Sequence, residues 1–408
     1  MVKPGYKQTT LGVVPEEWEV CAWEDAGSCF SSGATPYRAI SRYYEGDIKW
    51  VSSGELNYNI ITETIEHISE EAQKNTNLTI HPANTFLMAI TGLEAAGTRG
   101  SCAILGVPAT TNQSCMAVYG TEKLDVKYLF YYYSSNGDDL AFKYCQGTKQ
   151  QSYTASIVKK LPIILPPIAE QKEIANALSE ADQLIGSIEK QIIKKKAIKQ
   201  GAMQELLTGK KRLDGFNEKW VVCKISEIGK VITGTTPSRT VAEYWNGKHS
   251  WVSAQDFQTK YITRTAETVT DLGKSVCRFV PPGTVLVTCI ASIGLNAITR
   301  CACATNQQIN AIVCNPEYDE EFVYYLICFN KNKLLQLAGQ TAVPIVSKNQ
   351  FEDMELYVPP TFEEQNRIGE ILAAIDLEIE SLEKELRKYR QLKQGMMQQL
   401  LTGKIRLK

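Results

Sequence analysis

The sequence predicts an α+β protein in which two mixed α/β domains alternate with two long helices, the helices pairing as an antiparallel coiled coil, under an internal pseudo-two-fold repeat. Three observations lead there. The stretch from Pro166 to Leu213 returns as Pro359 to Leu407, the segments before each copy are weaker copies of one another, and the apolar residues of both stretches follow a heptad seam. The boundaries that follow are a first domain over 1–160, a central spacer helix over 161–213, a second domain over 214–352 and a C-terminal spacer helix over 353–408.

After a one-residue insertion near Glu363 the two helical stretches align at a constant offset of 194, pairing Asp182 with Asp376 and Gln200-Gly201 with Gln394-Gly395. Apolar residues recur at Ile174, Leu178, Ala181, Ile185, Ile188 and Ile192, and again at Ile368, Leu372, Ile375, Ile379, Leu382 and Leu386. This alternation of four and three is the seam of a left-handed coiled coil. Pro167 and Pro360 suit a first turn, and Glu170, Glu363 and Glu364 lie where carboxylates meet the positive end of the helix dipole. Gly209 and Gly403, each within Leu-Leu-Thr-Gly-Lys, are placed to stop the helices. About 40 residues at 1.5 Å each give a rod ~60 Å long, too narrow to be stable alone. The other copy is the natural partner, and two copies of one surface related by a two-fold axis across the helices run in opposite directions.

The 408 residues, 44% of them apolar, suffice for two or three cores. No apolar run approaches the roughly 18–20 residues of a membrane span and no signal core opens the chain, which points to the cytoplasm. The 12 cysteines are scattered. Cys301-Ala302-Cys303, with Cys277, Cys289 and Cys314 nearby, fits no zinc spacing and reads as strand packing, so no metal site is expected. A net charge of −1 leaves no global basic field, so a nucleic-acid partner would need a local one.

Along the two domains, Trp18-Glu19-Val20-Cys21 matches Trp220-Val221-Val222-Cys223. Gly33-Ala34-Thr35-Pro36-Tyr37-Arg38 matches Gly234-Thr235-Thr236-Pro237-Ser238-Arg239, and Trp50-Val51-Ser52 matches Trp251-Val252-Ser253 at the same offset of 201. Thr111-Asn112-Gln113 returns as Thr305-Asn306-Gln307. Between these anchors Leu56 to Lys74 is read as unlike Phe257 to Lys274, and Gly92 to Gly100 as unlike Ser292 to Arg300. Strands are expected at 48–52, 85–90, 102–105 and 115–119, with counterparts at 250–253, 284–290, 297–299 and 309–314. Helices are expected over 125–134 and 319–337, each opened by an aspartate.

Nothing in the chain carries chemistry. Asn315-Pro316-Glu317-Tyr318 reads as a turn rather than an amino-methyltransferase motif. Gly209-Lys210-Lys211 and Gly247-Lys248-His249 lack the remaining residues of a phosphate loop. His67, His81 and His249 fall in no catalytic arrangement. The domains do offer polar loops with the small hydroxyls and cations that hold phosphates or read base edges. The candidates are Ser32, Thr35, Tyr37 and Arg38; Thr235, Thr236, Ser238 and Arg239; Lys149 and Gln150; Lys348; and Arg99 and Arg300.

Two variable domains alternating with two matching helices, each introduced by Pro-Pro and Glu-Gln (Pro166-Pro167 with Glu170-Gln171, Pro359-Pro360 with Glu364-Gln365) and ending Leu-Leu-Thr-Gly, resemble the specificity subunit of type I restriction-modification systems. The resemblance covers the whole chain. It implies two target recognition domains, each reading one half of a split, asymmetric DNA sequence, and helices that space them and dock two modification subunits. It further implies that the chain is not itself an enzyme and binds no cofactor. S-adenosylmethionine would reside on the modification subunits, and ATP and Mg on restriction subunits where these are present. The alternatives are a self-contained DNA methyltransferase or nuclease with a recognition region, and a coiled-coil scaffold without a DNA role. The first would need a catalytic domain in a chain already filled by repeats.

Overall fold

The computed structural model describes residues 2–94, 98–145, 151–339 and 343–407. They form two compact units, one running up to Ile188 and resuming at Glu385, the other comprising Glu189–Lys384. Each unit therefore holds one mixed domain with a portion of each long helix.

In the first unit the runs Phe86–Ala89, Cys102–Leu105 and Cys115–Tyr119 are apolar nearly throughout, and as central strands they are buried on both faces. They form a five-stranded sheet in the order Ser28–Ser32, Cys115–Tyr119, Phe86–Ala89, Cys102–Leu105, Asn59–Ile61, antiparallel except for the last pair. A smaller sheet joins Thr110–Thr111, Ile48–Val51 and Glu66–Ile68. The helix Val126–Tyr144 packs on the large sheet, its first turn capped by Asp125, which accepts from the Tyr128 amide at 2.9 Å. It runs ten residues beyond the expected end at 134, because Tyr133, Leu140 and Ala141 continue the buried face.

The second unit repeats this plan. Its five-stranded sheet runs Gly229–Thr233, Ile309–Cys314, Val285–Thr288, Asn296–Thr299, Tyr261–Ile262, and Glu267–Val269, Trp245–Val252, Cys303–Thr305 and Phe279–Val280 make the smaller one. Asp319 caps the helix Glu320–Phe329 through the Phe322 amide at 2.8 Å. The single helix expected over 319–337 is broken at Asn330, whose side chain turns back onto the Leu326 carbonyl at 2.8 Å, and Lys331–Leu337 is a separate helix.

The long helices are Ile168–Leu206 and Phe362–Leu400. Pro167 and Pro360 lie just ahead of the first turns rather than inside them. Gly209 and Gly403 adopt φ of 66° and 68°, the left-handed conformation that ends a helix. Of the seam residues, Ile174, Leu178, Ile185, Ile188, Ile192, Ile368, Leu372 and Ile379 are buried, whereas Ile375, Leu382 and Leu386 are half-buried. Ion pairs join the helical segments inside each unit. Lys393 meets Asp182 at 2.5 Å in the first. In the second, Lys199 meets Asp376 at 2.6 Å, Lys196 meets Glu383 at 2.7 Å, and Lys195 meets Glu378.

Candidate functional site

The most conspicuous polar construction is a clasp that occurs once in each unit. In the first, Arg38 lays its guanidinium over the rings of Tyr44 and Trp50, 4.4 and 5.1 Å from their centroids. It also donates two hydrogen bonds to the Glu66 carboxylate. In the second, Arg239 lies over Trp245 and Trp251 at 3.8 and 5.2 Å and donates twice to Glu267. A planar fork fits both an aromatic face and a carboxylate, which lysine could not do. The guanidinium in turn holds each glutamate below the ordinary carboxylate range. As pH falls, the clasp therefore persists until that depressed value is crossed.

The loops leading to the arginines are fixed by close backbone approach. A Cβ on Gly33 would stand 1.7 Å from the Thr111 carbonyl oxygen, and one on Gly234 2.2 Å from that of Asn306. Trp50 and Trp251 donate their indole N–H groups to the carbonyls of Ala34 and Thr235 at 3.0 and 3.1 Å. Thr35 and Thr236 donate to Gln113 and Gln307, so the repeated Thr-Asn-Gln motif braces the repeated Thr-Pro turn.

Beside each clasp a loop is pinned at both ends by one carboxylate. Glu55 accepts from the amides of Ser52 at 2.7 Å and Ile65 at 2.8 Å, and Asp256 accepts from those of Ser253 and Ala266, both at 2.8 Å. The loops end in Ile61-Thr62-Glu63-Thr64-Ile65-Glu66 and Ile262-Thr263-Arg264-Thr265-Ala266-Glu267. These hexapeptides share their frame, with Ile61 and Ile262 buried and Thr64 and Thr265 donating to the carbonyls of Glu66 and Glu267 at 2.8 and 2.7 Å. The reading of this region as unlike its counterpart is thereby corrected. The likeness was visible at the offset of 201 but is only six residues long.

The remaining sequence candidates are dispersed. Arg99 pairs with Asp138 at 3.0 Å, Arg300 with Glu320 and Glu321 at 3.4 and 2.7 Å, and Lys348 with Glu352 at 3.3 Å. These three cations are thus each paired with a carboxylate of their own domain. Ser32 and Tyr37 are exposed, Ser238 bonds Thr240 at 2.8 Å, and Thr235 accepts from the Arg278 amide at 3.3 Å. Lys149 and Gln150 lie outside the described residues.

Where each domain meets its helix, a joint appears that sequence reasoning missed. Glu170 is buried and accepts the Trp18 indole N–H at 3.0 Å and two hydrogen bonds from Arg406 at 2.6 and 2.7 Å. In the second unit Glu364, 1% exposed, accepts from Trp220 at 3.3 Å and twice from Arg212 at 2.7 and 2.8 Å. The neighbouring Gln171 accepts from the Asp125 amide and donates to the carbonyls of Lys123 and Pro166, and Gln365 does the same with Asp319, Glu317 and Pro359. The Glu-Gln pair is therefore a structural device that ties helix to domain. A second tether lies further along, where Tyr131 donates to Asp182 at 2.9 Å and Tyr325 to Asp376 at 2.6 Å.

Among the described residues no group of three or more histidine, cysteine or acidic side chains could hold a metal. Burial pushes the Cys303 thiol up to about 11, away from the thiolate a metal needs. Asn315 opens a turn that the Tyr318 amide closes on its carbonyl at 3.0 Å, and its side-chain amide donates to the Glu227 carbonyl at 2.9 Å. No helix of the described residues is long and apolar enough to cross a membrane.

Comparison with known proteins places these features in context. Residues 15–196 and 217–389 each match the model described as type I restriction modification DNA specificity domain. The chain is 28% identical to a putative type I restriction enzyme MjaX specificity subunit of Methanocaldococcus jannaschii, covering 99% of this chain and 97% of that protein. It is 26% identical to the MjaVIII specificity subunit of the same organism, over 97% and 94% of the two chains. The fold is similar to the crystal structure of a type I restriction-modification S subunit from M. genitalium, with a TM-score of 0.63, 15% identity and 98% coverage of both chains.

Proposed function

Because the chain belongs to the type I restriction-modification DNA specificity family, whose members are non-catalytic specificity subunits, we propose that each domain reads one half of a split, asymmetric duplex target. The domains would be those of 1–160 and 214–352, with spacer segments over 161–213 and 353–408 built on the helices Ile168–Leu206 and Phe362–Leu400. The long helices pair antiparallel as a coiled coil, set the distance between the readers and dock two modification subunits. The observation that carries this reading is the duplicated clasp. One exposed, braced frame built twice in one chain suits two readers better than one active site.

The antiparallel pairing is supported by the order of the ion pairs. As the first helix advances from Lys195 to Lys199, the partner recedes from Glu378 to Asp376. Charge also segregates along the helices, with Lys190, Lys194, Lys195, Lys196 and Lys199 set against the acidic run from Asp376 to Glu385. Parallel pairing would bring like charges together. Leu184, Ile193, Ile198, Leu377 and Leu392 lie off the seam and exposed, which suits the docking of further subunits.

S-adenosylmethionine belongs to the modification subunits in this reading, and ATP and Mg to restriction subunits where present. Assembled with two modification subunits, the chain is expected to direct adenine methylation to one bipartite sequence, both halves being required. Sequencing of methylated DNA tests this, and methylation at a contiguous site, or by the isolated chain with S-adenosylmethionine alone, overturns it.

Since Arg38 and Arg239 occupy the same place in two readers of different half-sites, what they contact should be common to both, namely backbone phosphate. Arg239→Ala is expected to weaken binding on all sequences and to lower the salt slope by about 1. Glu267→Gln, which releases the guanidinium, should tighten binding and steepen that slope. A loss confined to one base pair, of ~1–3 kcal/mol, would instead make Arg239 a guanine reader.

A further inference from the structure

The two pinned hexapeptides keep the same backbone hydrogen bonds, the same buried isoleucine and the same two threonines, yet they differ at the positions that face outward. Glu63 in the first unit stands where Arg264 stands in the second, a reversal of charge, and Ile65 stands where Ala266 stands. Both members of each pair are exposed. Ile65 is 83% exposed, an unusual position for a large aliphatic side chain held on a fixed turn. What two readers share cannot distinguish their targets; what differs on a shared frame can.

We infer that positions 63 and 65 in the first domain, and 264 and 266 in the second, are specificity-determining contacts to base edges in the major groove. The chemistry of each side chain says which base it suits. The Arg264 guanidinium makes no hydrogen bond or ion pair among the described residues, leaving its fork for O6 and N7 of a guanine. Glu63 takes Lys49 at 2.5 Å, His67 at 3.1 Å and the Thr64 amide at 3.4 Å all on Oε1. Its Oε2 remains to accept from the N4 amino group of a cytosine, and the adjoining Lys49 offsets the repulsion between a carboxylate and DNA. Ile65 offers an apolar surface to a thymine methyl, which Ala266 offers less. The clasp glutamate next in sequence anchors the turn in both copies, so the outward residues can change without disturbing it.

This inference rests on the proposed split-target reading, and the test separates the two. The full chain, assembled with its modification subunits, selects from duplexes randomised across both half-sites and the gap. If the wild-type assembly selects no bipartite sequence, the functional reading falls and takes this inference with it. If it does, Arg264→Gln is expected to move the preference at one position of one half-site from guanine to adenine, the base that a glutamine amide matches. Discrimination at that position should change roughly 5- to 150-fold, and the other half-site should stay as it was. Glu63→Gln should likewise alter one position of the opposite half-site only. An unchanged selection with either variant overturns the inference, as does an equal loss of affinity on every sequence with a smaller salt slope, the mark of a phosphate contact.

Discussion

Glu364→Ala is expected to cost the second unit ~3–5 kcal/mol of stability, the usual cost of removing one partner from a buried ion pair. The carboxylate is almost wholly buried, and it satisfies both Nε and Nη2 of Arg212 and the indole N–H of Trp220. Alanine would leave a guanidinium with a side-chain exposure of only 25% opposite a cavity, and a buried indole without an acceptor. Urea unfolding followed by tryptophan fluorescence would show the transition of this unit moved to lower urea. The double substitution Arg212→Met with Glu364→Leu should recover most of the loss, because an apolar pair of similar volume leaves no charge to strand. A loss below ~1 kcal/mol for Glu364→Ala would mean that the joint is solvated in solution.

The second large effect concerns length. Lys190 and Lys384 are equivalent in the two copies, and both lie between the ion pair of Asp182 with Lys393 and that of Lys196 with Glu383. Inserting seven residues after each keeps the heptad phase and both flanking pairs, and adds ~10 Å at 1.5 Å per residue. DNA rises 3.4 Å per base pair, so the preferred gap should lengthen by about three base pairs while both half-site sequences stay the same. Inserting into one helix alone would break the register, and such a chain is expected to lose assembly instead. Methylation of substrates with graded gaps reads the outcome. A folded, assembled double insertion that keeps the original gap would rule out the helices as the ruler.

Much of this architecture was legible in the residues because it is local or repeated. The heptad seam, the stop glycines and the capping aspartates Asp125 and Asp319 act over a few residues, and the offset of 194 made each copy a check on the other. Central strands such as Phe86–Ala89 stood out as apolar runs. What stayed hidden depends on distance in sequence. Nothing near Arg38 names Glu66 as its partner, and nothing near Arg406 names Glu170, so the arginines read as free cations although their carboxylates lie elsewhere in the fold. Asn330 hides the break in its helix because the apolar pattern runs on across it. The outward pair on the pinned turn was obscured for a different reason. Four identities within six residues, inside divergent flanks, are too short a signal to stand out, and the shared bonds at the amides of Ile65 and Ala266 and from Thr64 and Thr265 mark them as one frame.

The joint at Glu170 also bears on how the protein is made. The second unit is one continuous segment, so a growing chain holds every residue of it before synthesis ends. The first unit is not. Trp18 and Glu170 leave the ribosome early, but Arg406 lies 236 residues beyond Glu170, about 10–50 s later at ~5–20 residues per second. Until then a buried carboxylate waits without its cation, beside an apolar surface meant for Leu400 and Leu401. A chain lacking Leu400 to Arg406 would thus carry a first domain that cannot close, and cellular proteases would be expected to remove it before it could recruit partners.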